Sequence, residues 1–290
     1  MADSLPEVCG TIAEVRARVA EARRGGRSIG FVPTMGALHA GHGRLIETCR
    51  EGSDFVVASI FVNPTQFGPN EDFRRYPRTL DEDRALCGKA GANLIFAPGV
   101  EEMYPDGALA TFVEVPGVSD RLEGASRPGH FRGVATVVLK LFGIVVPDRA
   151  YFGLKDYQQL LVIRRMVRDL DVPVEIVPVA THREPDGLAM SSRNRYLDAD
   201  DRQAATVLSR ALGRAAEAVR GGERDAERVR QILRETVGSE PRARLDYAEV
   251  ADAETLEPAR EVGPGHPPAV ALLAARVGPA RLIDNATLPG

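Results

Sequence analysis

Cysteine is scarce in this chain. The three present, Cys9, Cys49 and Cys87, are widely spaced. An odd number without C-x-x-C spacing argues against a disulfide framework and for reduced thiols in a cytoplasmic protein. No long apolar run is present either. The longest, Val134 to Val146, is interrupted by Lys140 and closed by Pro147, which makes it too short and too polar to span a bilayer. Residues 1–7 have neither a basic region nor an apolar core, so no secretory signal is expected. Positive charge is not in excess: 37 Lys and Arg against 41 Asp and Glu leave a net charge of −4. That balance disfavours a phosphate-coating surface, and so nucleic acid as a main partner. Arg16, Arg18, Arg23 and Arg24 are interleaved with Glu14 and Glu21, which reads as a solvated helix face. Internal repeats and low-complexity tracts are missing. No G-x-S-x-G elbow appears, and no G-x-x-x-x-G-K-[ST] loop, which disfavours a P-loop kinase.

What is present alternates. With 290 residues, 44% of them hydrophobic, the chain fits one large domain or two medium ones. Strand-like segments are expected at Ile29–Val32, Asp54–Val62, Asn93–Phe96, Arg149–Phe152 and Val174–Val179. Helices are expected around Leu45–Arg50, Thr79–Ala90, Val134–Val145 and Tyr157–Leu170. Such alternation predicts an α/β fold, a parallel sheet with helices on both faces. Ligands then bind beyond the carboxyl ends of the strands, at the switch point. After about residue 181 the texture changes. Two amphipathic helices, Asp200–Val219 and Asp225–Val237, precede strand-like Leu245–Val250, Ala269–Val277 and Arg281–Ile283. A smaller α+β domain over 182–290, following a first domain over 1–181, is expected.

The polar clusters fall at strand ends. Pro33-Thr34-Met35-Gly36 follows an apolar run, and His39-Ala40-Gly41-His42 then opens a helix. A helix N-terminus offers unpaired N–H groups and partial positive charge to an anion. Two histidines three apart share one helix face, among mostly small neighbours. Paired imidazoles there can donate to a polyphosphate, and to charge developing at the α-phosphorus in nucleotidyl transfer. The zinc metalloprotease pattern differs, with its histidines at i, i+4 and a Glu between them, so no metal site is read here. Lys155 opens the helix after Tyr151-Phe152, where its charge opposes the dipole unless an anion is near. Asp156 fits three roles: helix cap, ribose partner or Mg²⁺ ligand. Of Gln158 and Gln159 only one can face the crevice, because helix neighbours diverge by about 100°. With Gln66 in the loop Asn63–Phe67, that amide suits orientation of a small polar substrate. Met190-Ser191-Ser192-Arg193-Asn194 can cradle a triphosphate or simply cap a helix. His130, in a Gly- and Pro-containing loop with two arginines, suits an anionic substrate or an ordinary surface turn.

Together these residues resemble the pantoate–β-alanine ligase (pantothenate synthetase) family. The resemblance is carried by residues 33–42, Asn63–Phe67, Arg75–Thr79, Leu122–Gly133, Lys155–Gln159, Asp186–Asn194 and Ala280–Asn285, in order along nearly the whole chain. It implies a Rossmann-like nucleotidyltransferase domain with a smaller C-terminal domain, in a cytoplasmic homodimer. It also implies ATP and Mg²⁺ as the means of making pantoyl adenylate with release of pyrophosphate. β-Alanine then attacks the adenylate to give pantothenate and AMP. Carried over by motif, Met35, His39, His42, Gly153, Lys155, Asp156, Met190, Ser191, Ser192 and Arg193 would hold ATP, with His182 near the adenine pocket. His42 stands where the family places its proton donor, and His39, Lys155 and Arg193 would act with it. Gln66 and Gln159 would hold pantoate, Gln66 also lying near β-alanine, with His130 and Asp83 as further candidates. Two positions depart from the family pattern: Leu154 replaces an acidic or amide residue, and His182 an apolar one. A cytidylyltransferase-like enzyme would share the paired-His turn but not the glutamine pair, and a non-catalytic scaffold would have no need of His39, His42, Lys155 and Arg193.

Overall fold

The computed structural model describes residues 5–69, 71–107 and 111–290; the reading of Met1–Ser4 lies outside them. The chain divides into two compact units. Met1–Leu154 with Gln158–Ala180 forms the first, and Lys155–Tyr157 with Thr181–Gly290 the second.

The first unit is built on six parallel strands: β1 (Glu7–Cys9), β2 (Ile29–Thr34), β3 (Phe55–Ile60), β4 (Leu94–Phe96), β5 (Arg149–Gly153) and β6 (Glu175–Val179). Their order in the sheet is β1-β4-β3-β2-β5-β6. The central strands are buried along almost their whole length, as strands covered on both faces must be. Alternate residues feed two cores. Ile29, Phe31, Phe55, Val57 and Phe96 pack with helices α1 (Ile12–Arg24), α6 (His130–Val145) and α7 (Tyr157–Asp169). Val32, Val56, Ala58 and Ile95 pack with α2 (Ala40–Gly52) and α3 (Leu80–Ala90). Helix α2 lies so close to β2 that a Cβ on Gly30 would sit 2.3 Å from the Cys49 sulfur. Two single-turn helices, α4 (Val100–Met103) and α5 (Glu123–Ser126), lie in the connections.

The chain runs outward from β2 through β3 to β4, then returns to place β5 on the other side of β2. The switch point is therefore the β2/β5 pair, whose carboxyl ends are Thr34 and Gly153. The sequence anticipates this doubly wound sheet but not β1, α4 or α5, which are too short to show a period.

The second unit holds α8 (Ala199–Ala205), α9 (Val207–Arg220), α10 (Ala226–Gly238) and an antiparallel sheet of β7 (Ala243–Asp252), β8 (Ala269–Val277) and β9 (Ala280–Thr287). Leu208, Leu212, Val229 and Leu233 bury one face of that sheet at Val250, Ala271, Leu273 and Ala275. The single helix expected over Asp200–Val219 is two helices. At Thr206 both the hydroxyl and the N–H turn back to the Gln203 carbonyl, at 2.7 and 3.2 Å, and the helical ladder restarts beyond it. Among the described residues, no helix is long and apolar enough to cross a membrane.

Candidate functional site

At the end of β2 the Thr34 hydroxyl donates to the Ser59 carbonyl at 2.6 Å. The chain then takes two left-handed residues, Gly36 (φ 84) and Ala37 (φ 51). A non-glycine residue there needs support, and Asp83 of α3 supplies it. Its carboxylate accepts from the N–H groups of Ala37 and Leu38, at 3.0 and 2.7 Å, and from the Thr79 hydroxyl at 3.2 Å. Burial pushes the Asp83 carboxyl up, against these three bonds. Asp83 thus anchors the turn that leads into the histidines.

The two histidines lie together as their spacing suggests, but only His42 is within the helix. His39 is the N-cap of α2, with extended backbone (φ −139, ψ 176), and His42 is its N3 residue. Together they form a capping box made of imidazoles. His39 Nδ1 accepts from the Gly41 N–H at 3.2 Å, and His42 Nδ1 accepts from the His39 N–H at 3.3 Å. The ring centroids are 4.1 Å apart. With both Nδ1 atoms accepting, each neutral ring carries its hydrogen on Nε2 and is a donor there. A helix start thus brings its dipole and two imidazole rings together.

Gln66 lies in a 3-10 turn, Pro64–Gln66, after β3, and is buried. Its Oε1 accepts from Asn63 Nδ2 at 3.0 Å, which fixes the amide's orientation. Asn63 is fixed in turn by the Tyr104 hydroxyl at 2.7 Å. The Gln66 amide nitrogen is left facing the Met35 sulfur at 3.1 Å, a weak acceptor that an oxygen would displace.

His130 stands directly behind this turn. Its Nδ1 lies 2.9 Å from the Gln66 carbonyl and its Nε2 3.0 Å from an Arg127 nitrogen. Arginine can only donate, so Nε2 accepts and Nδ1–H donates: the ring is neutral with a fixed tautomer. Burial, reinforced by the Arg127 charge, lowers its pKa to about 4. Arg127 itself forks onto Glu71 at 2.6 and 2.7 Å. Both ring nitrogens of His130 are therefore engaged by the protein.

The glutamine pair on α7 divides its labour. Gln158 points inward, donating to the carbonyls of Val118 and Arg121 at 2.8 Å each and accepting from the Glu123 N–H at 3.0 Å. It closes the tight turn around Leu122, whose φ is 49. Gln159 is half-buried, and its side chain makes no hydrogen bond with the described residues. Gly153 ends β5, and Leu154 after it packs on the first unit's apolar core.

In the second unit, Lys155 and Asp156 lie in a 3-10 turn, paired at 3.5 Å, with the lysine side chain 19% exposed. His182 is exposed and its carbonyl accepts from the Met190 N–H at 3.0 Å. Ser191 caps the 3-10 turn Ser192–Tyr196 by accepting from the Arg193 N–H at 3.3 Å. Sequence reasoning missed Asn63 and Tyr104 as the frame of Gln66. The Asn-Pro start of that loop was the available signal for Asn63; nothing pointed to Tyr104.

The profile of the Pantoate-beta-alanine ligase family matches residues 7–287. A pantothenate synthetase of Pelotomaculum thermopropionicum is 57% identical over 281 residues, 97% of this chain and 98% of the relative. The crystal structure of pantothenate synthetase from Thermus thermophilus superposes with a TM-score of 0.92 at 51% identity, covering 98% of this chain and 100% of that one. A Francisella tularensis pantoate-beta-alanine ligase, in complex with beta-gamma ATP and beta-alanine, superposes with a TM-score of 0.79 at 34% identity, covering 97% of each chain.

Proposed function

The chain belongs to the pantoate–β-alanine ligase family, and on that premise we propose how its residues divide the work. It is an ATP-dependent enzyme that condenses pantoate with β-alanine to pantothenate through a pantoyl adenylate, releasing pyrophosphate and AMP. His39 and His42 donate from Nε2 to the ATP phosphates, and His42 stabilises charge gathering on the α-phosphate as the pantoate carboxylate attacks. Met35 and Gly153 line the nucleotide. Lys155, Asp156, His182, Met190, Ser191, Ser192 and Arg193 supply further ATP contacts, with Lys155 and Arg193 balancing the charge of departing pyrophosphate. Gln66 and Gln159 orient pantoate by their amides, and this positioning is their whole contribution, since neither ionises or attacks. His130 serves by holding Gln66.

Among the described residues, no group of three or more His, Cys, Asp or Glu is arranged to hold a metal ion. Asp156 is the carboxylate that would hold Mg²⁺ beside the ATP phosphates, where the ion would neutralise charge. A cytoplasmic setting agrees with three buried free cysteines, two of them pushed by burial to about 12. Family membership supports a homodimer, and sedimentation equilibrium giving a single chain mass would overturn that assignment.

The observation that supports this reading is the imidazole capping box, which uses both Nδ1 atoms as acceptors and sets the two rings 4.1 Å apart at a helix N-terminus. The test is pyrophosphate release from ATP and pantoate by His42→Ala. A loss of about 10²-fold is expected, the size seen when a transition-state donor is removed; near-normal turnover would refute the role of His42.

A further inference from the structure

Near the end of the chain two consecutive polar residues, Asp284 and Asn285, are both buried in β9, where until then every second residue is buried. Strand neighbours face opposite sides of a sheet. Asp284 shares the face of Ala280 and Leu282, which is the apolar core of the second unit. Its carboxylate takes the guanidinium fork of Arg183 at 2.7 and 2.9 Å. Asn285 faces the other way and donates from Nδ2 to the backbone carbonyl of Lys155 at 2.8 Å.

Arg183 begins a short hairpin. It bridges to Ala189 and donates to the Gly187 carbonyl at 3.1 Å. The segment beyond the hairpin is fastened to it by the Met190 N–H on the His182 carbonyl and by Asn194 Nδ2 on the Ala189 carbonyl, at 3.0 and 3.1 Å. One dipeptide of β9 thus grips two stretches of chain: Lys155 through Asn285, and Met190–Asn194 through Asp284 and Arg183. Stability alone does not account for this choice. With Asp284 buried and the Arg183 side chain 31% exposed, the pair loses to desolvation much of what it returns, and an apolar pair would hold the strand as well. What the polar pair adds is direction, because a fork and an amide bond fix orientation where apolar contact does not.

We propose that Asp284 and Asn285 are positioning residues for the adenylation step, setting Lys155 and Met190–Arg193 in a fixed relation within the second unit. The proposal rests on the reading of Lys155, Ser191, Ser192 and Arg193 as ATP contacts. Its test separates the two half-reactions in the full-length enzyme. Asn285→Asp keeps the shape but replaces the donor with an acceptor facing the Lys155 carbonyl. It should slow pyrophosphate release from ATP and pantoate by about tenfold and raise the KM for ATP, an effect of the size of one lost hydrogen bond. Reaction of preformed pantoyl adenylate with β-alanine should stay within about twofold, because that half consumes no triphosphate. Asp284→Asn should act in the same direction, and adding Arg183→Gln to it should cost little more, since the two side chains act as one unit. Equal slowing of both half-reactions by Asn285→Asp, or no slowing, overturns the proposal. Should Asp284→Asn fail to fold, Asn285→Asp decides alone. Lys155→Ala distinguishes the failures: if it leaves the KM for ATP unchanged, the nucleotide reading itself is wrong. If Lys155→Ala raises that KM and Asn285→Asp does not, only this inference falls.

Discussion

The environment of His130 changes its chemistry. Buried between a carbonyl and a guanidinium, it stays neutral down to about pH 4, against an ordinary value of 6.5. Between those limits the unfolded chain binds a proton that the folded chain refuses, so stability rises with pH across that window. The contribution is complete above about 6.5, declines as pH falls, and is gone below about 4; the shift corresponds to roughly 3 kcal/mol. Urea unfolding at about pH 7.5 and about pH 4.5 should show the wild type losing stability on acidification and His130→Asn losing measurably less. Equal losses in the two proteins would show that His130 does not carry the effect. Gln66 is the residue that His130 holds through its backbone carbonyl. Gln66→Ala should raise the KM for pantoate by about tenfold while that for ATP stays within about twofold, because only one amide contact is removed; equal rises in both would contradict its assignment to pantoate.

Helix α6 and the Pro64–Gln66 turn meet at a glycine. A Cβ on Gly133 would sit 2.5 Å from the Thr65 carbonyl oxygen and 2.7 Å from Gln66 Cα, and backbone cannot yield as a side chain would. Gly133→Ala should cost about 1–3 kcal/mol in urea unfolding and raise the KM for pantoate as well, because the displaced turn carries Gln66. An unchanged unfolding midpoint and KM would mean that the contact is looser than described. Elements such as β2, α2 and α6 were legible in the sequence because each repeats its pattern over several turns or pleats. The strand-end position of the histidines was legible too, from Gly36 and the apolar run before it. The imidazole capping box was not: spacing alone places two histidines on a face, and only the backbone angles show that His39 stands outside the helix. Nor could spacing choose between Gln158 and Gln159, since the choice depends on a turn about 35 residues away that engages both amide hydrogens and the carbonyl oxygen of Gln158. The anchoring role of Asp83 depends likewise on a partner loop 45 and 46 positions earlier.

At the scale of the whole molecule, the paired imidazoles and Gln66 belong to the first unit. The sheet's strand order places the histidine turn at its switch point, where α/β folds bind ligands. The most direct test is a crystal structure of the enzyme with pantoate and a non-hydrolysable ATP analogue. Phosphate oxygens should lie at about 2.7–3.2 Å from Nε2 of both His39 and His42, with the pantoate carboxylate facing the α-phosphorus. A triphosphate bound away from the start of α2, with both imidazoles directed into packed protein, would contradict the account.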